Sequence, residues 1–223
     1  MEDLPDDHEV HVMDHPPPPP GSPDSTPAPP VQPTPSPQHI PHFFMQQKLT
    51  AMINRYRLLA PDASGQPGQL IAFAEQKRMK LKEEVNFFAD EARTTPLFSF
   101  KSRQKIDMHA RTDILDQAGN QIAWFEKDFK QSLLRSTWHI HYGDVTATGQ
   151  ERSMPIAVLR RVMDDIPFRF HFDFTDGATG QVVMSVDRQR SLRDRYEVTV
   201  ADPRLPFHVA AAITVALDAF QGR

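Results

Sequence analysis

At 223 residues, with 25 Lys and Arg against 29 Asp and Glu, the chain has room for one domain and lacks the strong basic balance of a nucleic-acid binder, so no nucleic acid is expected as a partner. The absence of cysteine removes disulfides, thiolate catalysis, cysteine-rich zinc sites and S-acylation, and fits a reducing, cytoplasmic setting. No apolar run follows Met1 and none of about 20 residues occurs anywhere, so neither a secretory leader nor a spanning helix is expected; membrane contact would be peripheral, at the inner face.

Residues 1–40 come first. Fourteen of the 21 prolines lie within residues 1–41, Lys and Arg are absent before Lys48, and Glu2, Asp3, Asp6, Asp7, Glu9, Asp14 and Asp24 have no basic neighbour. Apolar residues are too sparse to offset the entropy of ordering this stretch, so an acidic, disordered, proline-rich tail is expected. From His15 to Pro37 the run HPPPPPGSPDSTPAPPVQPTPSP favours polyproline II segments broken by Gly and Ser. It reads as a solvated spacer, with a proline-reading protein as the alternative partner. Setting aside the seven acids leaves 22 against 25 basic residues, so the domain expected over 41–223 is mildly basic, at about +3.

Beyond Pro41 the dominant period is two. Tyr56-Arg57-Leu58-Leu59 and Leu70-Ile71-Ala72-Phe73 flank a turn at Pro61-Asp62-Ala63-Ser64-Gly65, which predicts a hairpin. A second turn falls at Asp116-Gln117-Ala118-Gly119-Asn120 and a third at Asp176-Gly177-Ala178-Thr179-Gly180. Trp138, Ile140 and Tyr142 alternate with His139 and His141; Phe168, Phe170, Phe172 and Phe174 with Arg169, His171 and Asp173; Tyr196, Val198 and Val200 with Glu197 and Thr199. Each pattern is a strand with one apolar face. Two short helices are expected between strands, one over Lys127–Leu134 and one, opened by a proline, over Pro155–Met163.

The stretches 71–85, 122–140 and 182–198 each run from a strand through a basic segment to a second strand. Asp116, Gln121, Ser132 and Leu133 align with Asp176, Gln181, Ser191 and Leu192 after a one-residue gap, which points to a duplicated β unit. The last element, LPFHVAAAITVALDAF over 205–220, is apolar nearly all round and must be enclosed. As a helix of about 21 Å it is too short for a hydrocarbon core of about 30 Å. Its alanines make it slender enough for a closed sheet to surround, so a barrel with a central helix at about 206–220 is expected.

Serial hairpins, LLRSTWHI at 133–140, LRDRYEV at 192–198 and the hydrophobic C-terminal helix together resemble LURP-one-related and phospholipid scramblase-like proteins of the tubby-like superfamily, over about residues 42–222. The resemblance implies a closed antiparallel barrel of about twelve strands around that helix. It implies function only loosely: a peripheral anionic-lipid-binding or protein-interaction module, with lipid scrambling, or a structural role without lipid, as alternatives. The chain departs from animal scramblases in lacking a cysteine cluster and an acidic calcium loop.

Site chemistry is sparse. There is no glycine-rich phosphate loop, nucleophile elbow, H-E-x-x-H pair or dinucleotide fingerprint, so neither an enzyme nor a cofactor is expected, and pairs such as Glu83/Glu84 and Asp164/Asp165 read as solvated. Asp173-Phe174-Thr175-Asp176-Gly177 lacks the late Glu of a calcium loop and reads as a turn. His139 and His141 share a strand face, but a metal would need a third ligand such as His171, so no metal is expected. His208 reads as a hydrogen-bonded core residue. The functional clue is basic: Lys77, Arg78, Lys80 and Lys82; Lys101, Arg103 and Lys105; Lys127 and Lys130; and Arg188, Arg190, Arg193 and Arg195 recur at comparable places in the hairpins. Gathered on one rim, the first nine would attract anionic headgroups; the alternative is that they protect sheet edges from pairing.

Overall fold

The computed structural model describes residues 39–49, 53–77, 84–103, 111–128, 136–152, 171–189 and 195–221. Within them run β1 (His42–Leu49), β2 (Ile53–Pro61), β3 (Pro67–Lys77), β4 (Glu84–Phe88), β5 (Pro96–Ser102), β6 (Arg111–Leu115), β7 (Gln121–Asp128), β8 (Thr137–Tyr142), β9 (Val145–Glu151), β10 (His171–Asp176), β11 (Val182–Gln189) and β12 (Arg195–Val200), then α1 (Phe207–Gln221). Each strand is antiparallel to its neighbours and β1 pairs with β12 as well as β2, so the sheet closes in chain order. The twelve-stranded closed barrel with its C-terminal helix is therefore the fold of this chain. Closure removes every sheet edge, so edge protection does not account for the basic segments.

Alternation decides which side chains face inward. Tyr56 pairs with Ala74, Ala74 with Phe87, Phe87 with Phe98, and the inward set continues round the wall through Ile114, Ile140 and Val186 to Val198 and Phe43. The wall contributes large rings, among them Phe87, Phe100, Phe125, Trp138, Phe172 and Phe174, all essentially inaccessible. The helix contributes small ones: Ala210, Ala211, Ala212 and Ala216 are wholly buried beside Val209, Ile213, Val215 and Leu217. Large against small fills the lumen at crystal-like density, and each enclosed Val, Leu or Ile adds roughly 1.5–3 kcal/mol. Gly149 shows how tight the fit is, because a methyl built there would lie 2.2 Å from Cε1 of Phe174.

The hairpins β2–β3, β6–β7 and β10–β11, four strands apart, share one turn. In each the Asp amide donates to the residue closing the turn, Asp62 to Gln66 at 2.7 Å, Asp116 to Asn120 at 2.9 Å and Asp176 to Gln181 at 2.9 Å. Gly65, Gly119 and Gly180 hold φ of 75°, 84° and 69° there, and a register shift precedes each turn. The turn recurs every four strands, one residue longer at Asp176 than at Asp62 and Asp116. Ser132, Leu133, Ser191 and Leu192 of the expected duplication lie outside the described residues.

Other expectations fare differently. Lys127 and Asp128 do not open a helix; they end β7, where in-register pairing with Trp138 and Thr137 extends the strand. The rest of that helix, the one over 155–163, and Phe168 and Phe170 fall outside the described residues, whereas Phe172 and Phe174 point inward as expected. Among the described residues no helix is long and apolar enough to cross a membrane.

Candidate functional site

Because consecutive strands alternate in direction, their connections fall on two rims. On one, turns open at Asp62, Asp90, Asp116, Asp144, Asp176 and Asp202, and five of these carboxylates accept backbone N–H groups within their own turn. Hydrogen bonds hold four of them below the usual carboxylate range: the Ser64 hydroxyl and then backbone N–H groups at Asp62, the Thr94 N–H and hydroxyl at Asp90, the Asn120 side-chain amide and then its N–H at Asp116, and the Ala178 N–H followed by Arg204 at Asp176. On the other rim β3 ends at Lys77, β5 at Lys101 and Ser102 followed by Arg103, β7 beyond Lys127, and β9 just before Arg152. The turn aspartates thus gather at one end, where Arg204 meets three of them, and the other end mixes signs, Lys101 standing opposite Glu84 and Asp128 and Glu151 closing β7 and β9.

The anticipated lipid-binding cations do not behave alike. Lys101 is exposed, and Lys77 is placed by its backbone at the end of β3. Arg103 instead folds along the outer wall, its Nε 2.5 Å from Asp113 and its Nη2 2.8 Å from Gln121, and the Asp113 contact raises its pKa further. Lys127 alternates with the outward residues and lies 5.6 Å from the Trp138 ring centroid, on the lumen side. Arg188 sits over Tyr196 at 6.0 Å. Arg78, Lys80, Lys82, Lys105, Lys130, Arg190 and Arg193 fall outside the described residues.

A second group of cations, absent from the sequence expectations, sits on the outer wall of β1–β3. Register places Lys48 opposite Arg55 and Arg55 opposite Glu75. Glu75, whose side chain is 7% exposed, accepts from Arg55 Nε at 3.4 Å and from Arg93 Nη1 at 3.1 Å. Arg57 pairs with Glu91 at 2.7 Å, and Lys48 is exposed with no ion pair among the described residues. These groups line a depression of ≈ 180 Å³ whose apolar wall is Phe73. Arg93, the one described non-glycine residue at positive φ (63°), reaches Glu75 from the β4–β5 turn. Arg55 and Arg57 alternate with Tyr56 and Leu58, a period-two signal of cations sharing one face; nothing local marks Arg93 as their neighbour.

A larger depression, ≈ 370 Å³, lies on the β9–β11 wall beside Thr148, Gln150, Thr175 and Val182. Its charges are matched, since Arg152 donates to Asp173 at 2.7 and 2.5 Å and lies 3.7 Å from Asp187. The Arg152 guanidinium, reinforced by Ser185, holds Asp173 below its ordinary range. Asp173 and Asp176 are both committed to protein donors, and the turn reading of 173–177 is corrected, since 173–176 are the end of β10 and only Gly177 enters the turn. His139 and His141 do share the outer face: His139 meets Thr148 at 3.1 Å, and His141 stacks on Trp124 at 3.7 Å, whose ring Arg111 approaches at 3.9 Å. His171 pairs instead with Asp187, and among the described residues no three His, Cys, Asp or Glu side chains form a metal-holding group.

Inside, near the Lys101 rim, a polar layer anchors the helix. Asp218 of α1 accepts from Gln47 and, at 2.6 Å, from Tyr196, while Tyr56 and Asn54 donate to Gln76 at 3.4 and 3.0 Å. Burial, followed by the Asp218 charge, pushes the Tyr56 phenol far above its normal range. His208 differs from the expectation of a hydrogen-bonded residue. Its Nε2 is buried without a partner between the rings of Phe98 and Tyr142, and desolvation pulls the imidazole down to about 4.

Comparison with known proteins gives one match. A family model described as LURP-one-related covers residues 70–218, from within β3 to near the end of α1. No curated protein and no solved structure matches the chain.

Proposed function

This chain belongs to the LURP-one-related family, and from that premise we propose that it is a non-enzymatic module that binds anionic membrane surfaces peripherally through the rim that carries Lys77 and Lys101. The reading is supported by the exposed Lys101 and by Lys77 at strand ends on the rim opposite the six Asp-led turns. In this reading that rim faces the negative surface, where each nearby Lys or Arg contributes about 1 kcal/mol, fading with salt. Arg78, Lys80, Lys82, Lys105 and Lys130 extend the rim set in this reading, and the working location is the inner membrane face.

Co-sedimentation of the full chain with neutral and anionic liposomes at low and high salt tests the reading. Binding confined to anionic vesicles, weakened by salt and lost on charge reversal at Lys77, Arg78, Lys80 and Lys82, supports it. Absence of binding under every condition overturns it and leaves a protein-interaction role. Movement of labelled lipid between leaflets of the same vesicles would replace simple binding by scrambling.

A further inference from the structure

We propose that the cation cluster on the β1–β3 wall is a recognition site for a phosphate group, carried by a soluble phosphate ester or by a lipid headgroup. The site is separate from the rim of Lys77 and Lys101 and does not depend on the function proposed for it.

Charge balance is the first argument. Lys48, Arg55, Arg57 and Arg93 face only Glu75 and Glu91 in the depression, leaving two positive charges in excess. A phosphate monoester brings about −1.5 to −2 at neutral pH, which matches that surplus. Arginines that merely brace a wall are matched instead, as Arg152 is by Asp173 and Asp187 on β9–β11.

Pre-organisation is the second. Glu75 is almost enclosed and fixes two guanidiniums, using Nε of Arg55 and Nη1 of Arg93. Both side chains remain nearly half exposed, at 41% and 49%, so their other N–H groups are available to a ligand. Two forks held on one carboxylate, with the Lys48 ammonium alongside, present converging donors to a tetrahedral oxyanion, and a planar carboxylate would use fewer of them. Arg93 adopts φ of 63°, a conformation glycine takes at lower cost, and from it the guanidinium reaches Glu75. A depression of ≈ 180 Å³ with Phe73 as its apolar wall accommodates a phosphate and the first carbons of its ester.

The test follows arginine Nε–H resonances of the full chain while inorganic pyrophosphate is added at low salt. Saturable shifts of Arg55, Arg57 and Arg93, with Arg152 and Arg204 unmoved, are expected. Arg93→Gly keeps the backbone conformation and should weaken binding about tenfold, the loss of one strong charged contact. Glu91→Gln, which frees Arg57, should tighten it about threefold, a gain that a purely bracing network would not give. No saturable response, equal shifts at all arginines, or unchanged affinity in Arg93→Gly with an intact fold overturns the site. Charge reversal at Lys77 and Lys101 should leave pyrophosphate binding intact, so the rim and the wall fail separately. Vesicles containing phosphatidic acid decide the source: displacement by pyrophosphate together with weaker binding of Arg93→Gly identifies a lipid phosphate, and vesicle binding indifferent to both identifies a soluble ester.

Discussion

The two sides of the barrel wall are made by the same strands, residue by residue in alternation, yet they obey different rules. Inward positions are decided by volume. Phe87, Phe100, Phe125, Trp138 and Phe174 fill the space that the alanines of α1 leave, and several of the polar residues that enter pair with one another, as in the Asp218 and Gln76 layer and the Ser102–Thr112 pair. Outward positions are decided by partnership. Arg152 is neutralised across the strands by Asp173 and Asp187, Arg103 by Asp113, whereas the β1–β3 cluster keeps surplus charge. An inward residue is thus constrained by its type alone, and an outward one by which strand lies beside it.

Adding one methyl group should break the inner rule most severely. In Gly149→Ala the new carbon would sit 2.2 Å from Cε1 of the fully buried Phe174, so the wall must deform. A loss of about 3 kcal/mol or more in urea unfolding is expected, partly recovered by adding Phe174→Leu. Thr148→Val, one residue away and facing outward, should stay within about 0.5 kcal/mol despite losing its contact with His139. Equal costs at the two positions would mean that the lumen is slack.

Acid should distinguish the two sides next. His208 is the inward histidine, with Phe98 and Tyr142 against its ring, and burial lowers it from 6.5 to about 4. A base with a depressed folded pKa takes its proton more readily when unfolded, so stability is intact above about 6.5 and falls as pH drops toward 4. The linked loss across that window is roughly 3 kcal/mol. His208→Phe should remove that part of the pH dependence in urea titrations at pH 7, 5.5 and 4; an unaltered pH profile would show that the imidazole is solvated.

The same division explains what could be read from the sequence. Period-two runs such as Trp138-His139-Ile140-His141-Tyr142 disclose an inward face without knowledge of neighbours, and an all-round apolar segment such as 207–217 discloses enclosure, so the barrel and its core were legible. Turn chemistry was legible too, since Asp62, Asp116 and Asp176 with their glycines act within a few residues. Outer-wall chemistry was not. Glu75 meets Arg93 only because the β4–β5 turn folds back over β3, and His171 meets Asp187 rather than His139 only because β11 flanks β10. Lys127 read as part of a basic run, but alternation along β7 turned it toward the lumen.

The smallest expected effect concerns the outer aromatic stack. Trp124 and Trp138 lie on neighbouring strands, but Trp138 is enclosed while Trp124 is half-buried, covered by His141 at 3.7 Å on β8 and approached by the Arg111 guanidinium at 3.9 Å on β6. Burial, then the nearby Glu126, His139 and Arg111 charges acting in opposing senses, leave His141 below the ordinary imidazole range, so near neutral pH it meets the indole as an uncharged ring. The stack is then worth an aromatic contact and one exposed cation–π contact, each about 0.5–1 kcal/mol. Trp124→Ala should therefore cost about 1 kcal/mol in urea unfolding, with Trp138 emission unchanged in the folded state because its packing against Phe125 and Phe220 is on the other side of the wall. A loss several times larger, or a shift of Trp138 emission, would mean that the outward face supports the lumen and that the two sides of the wall are not independent.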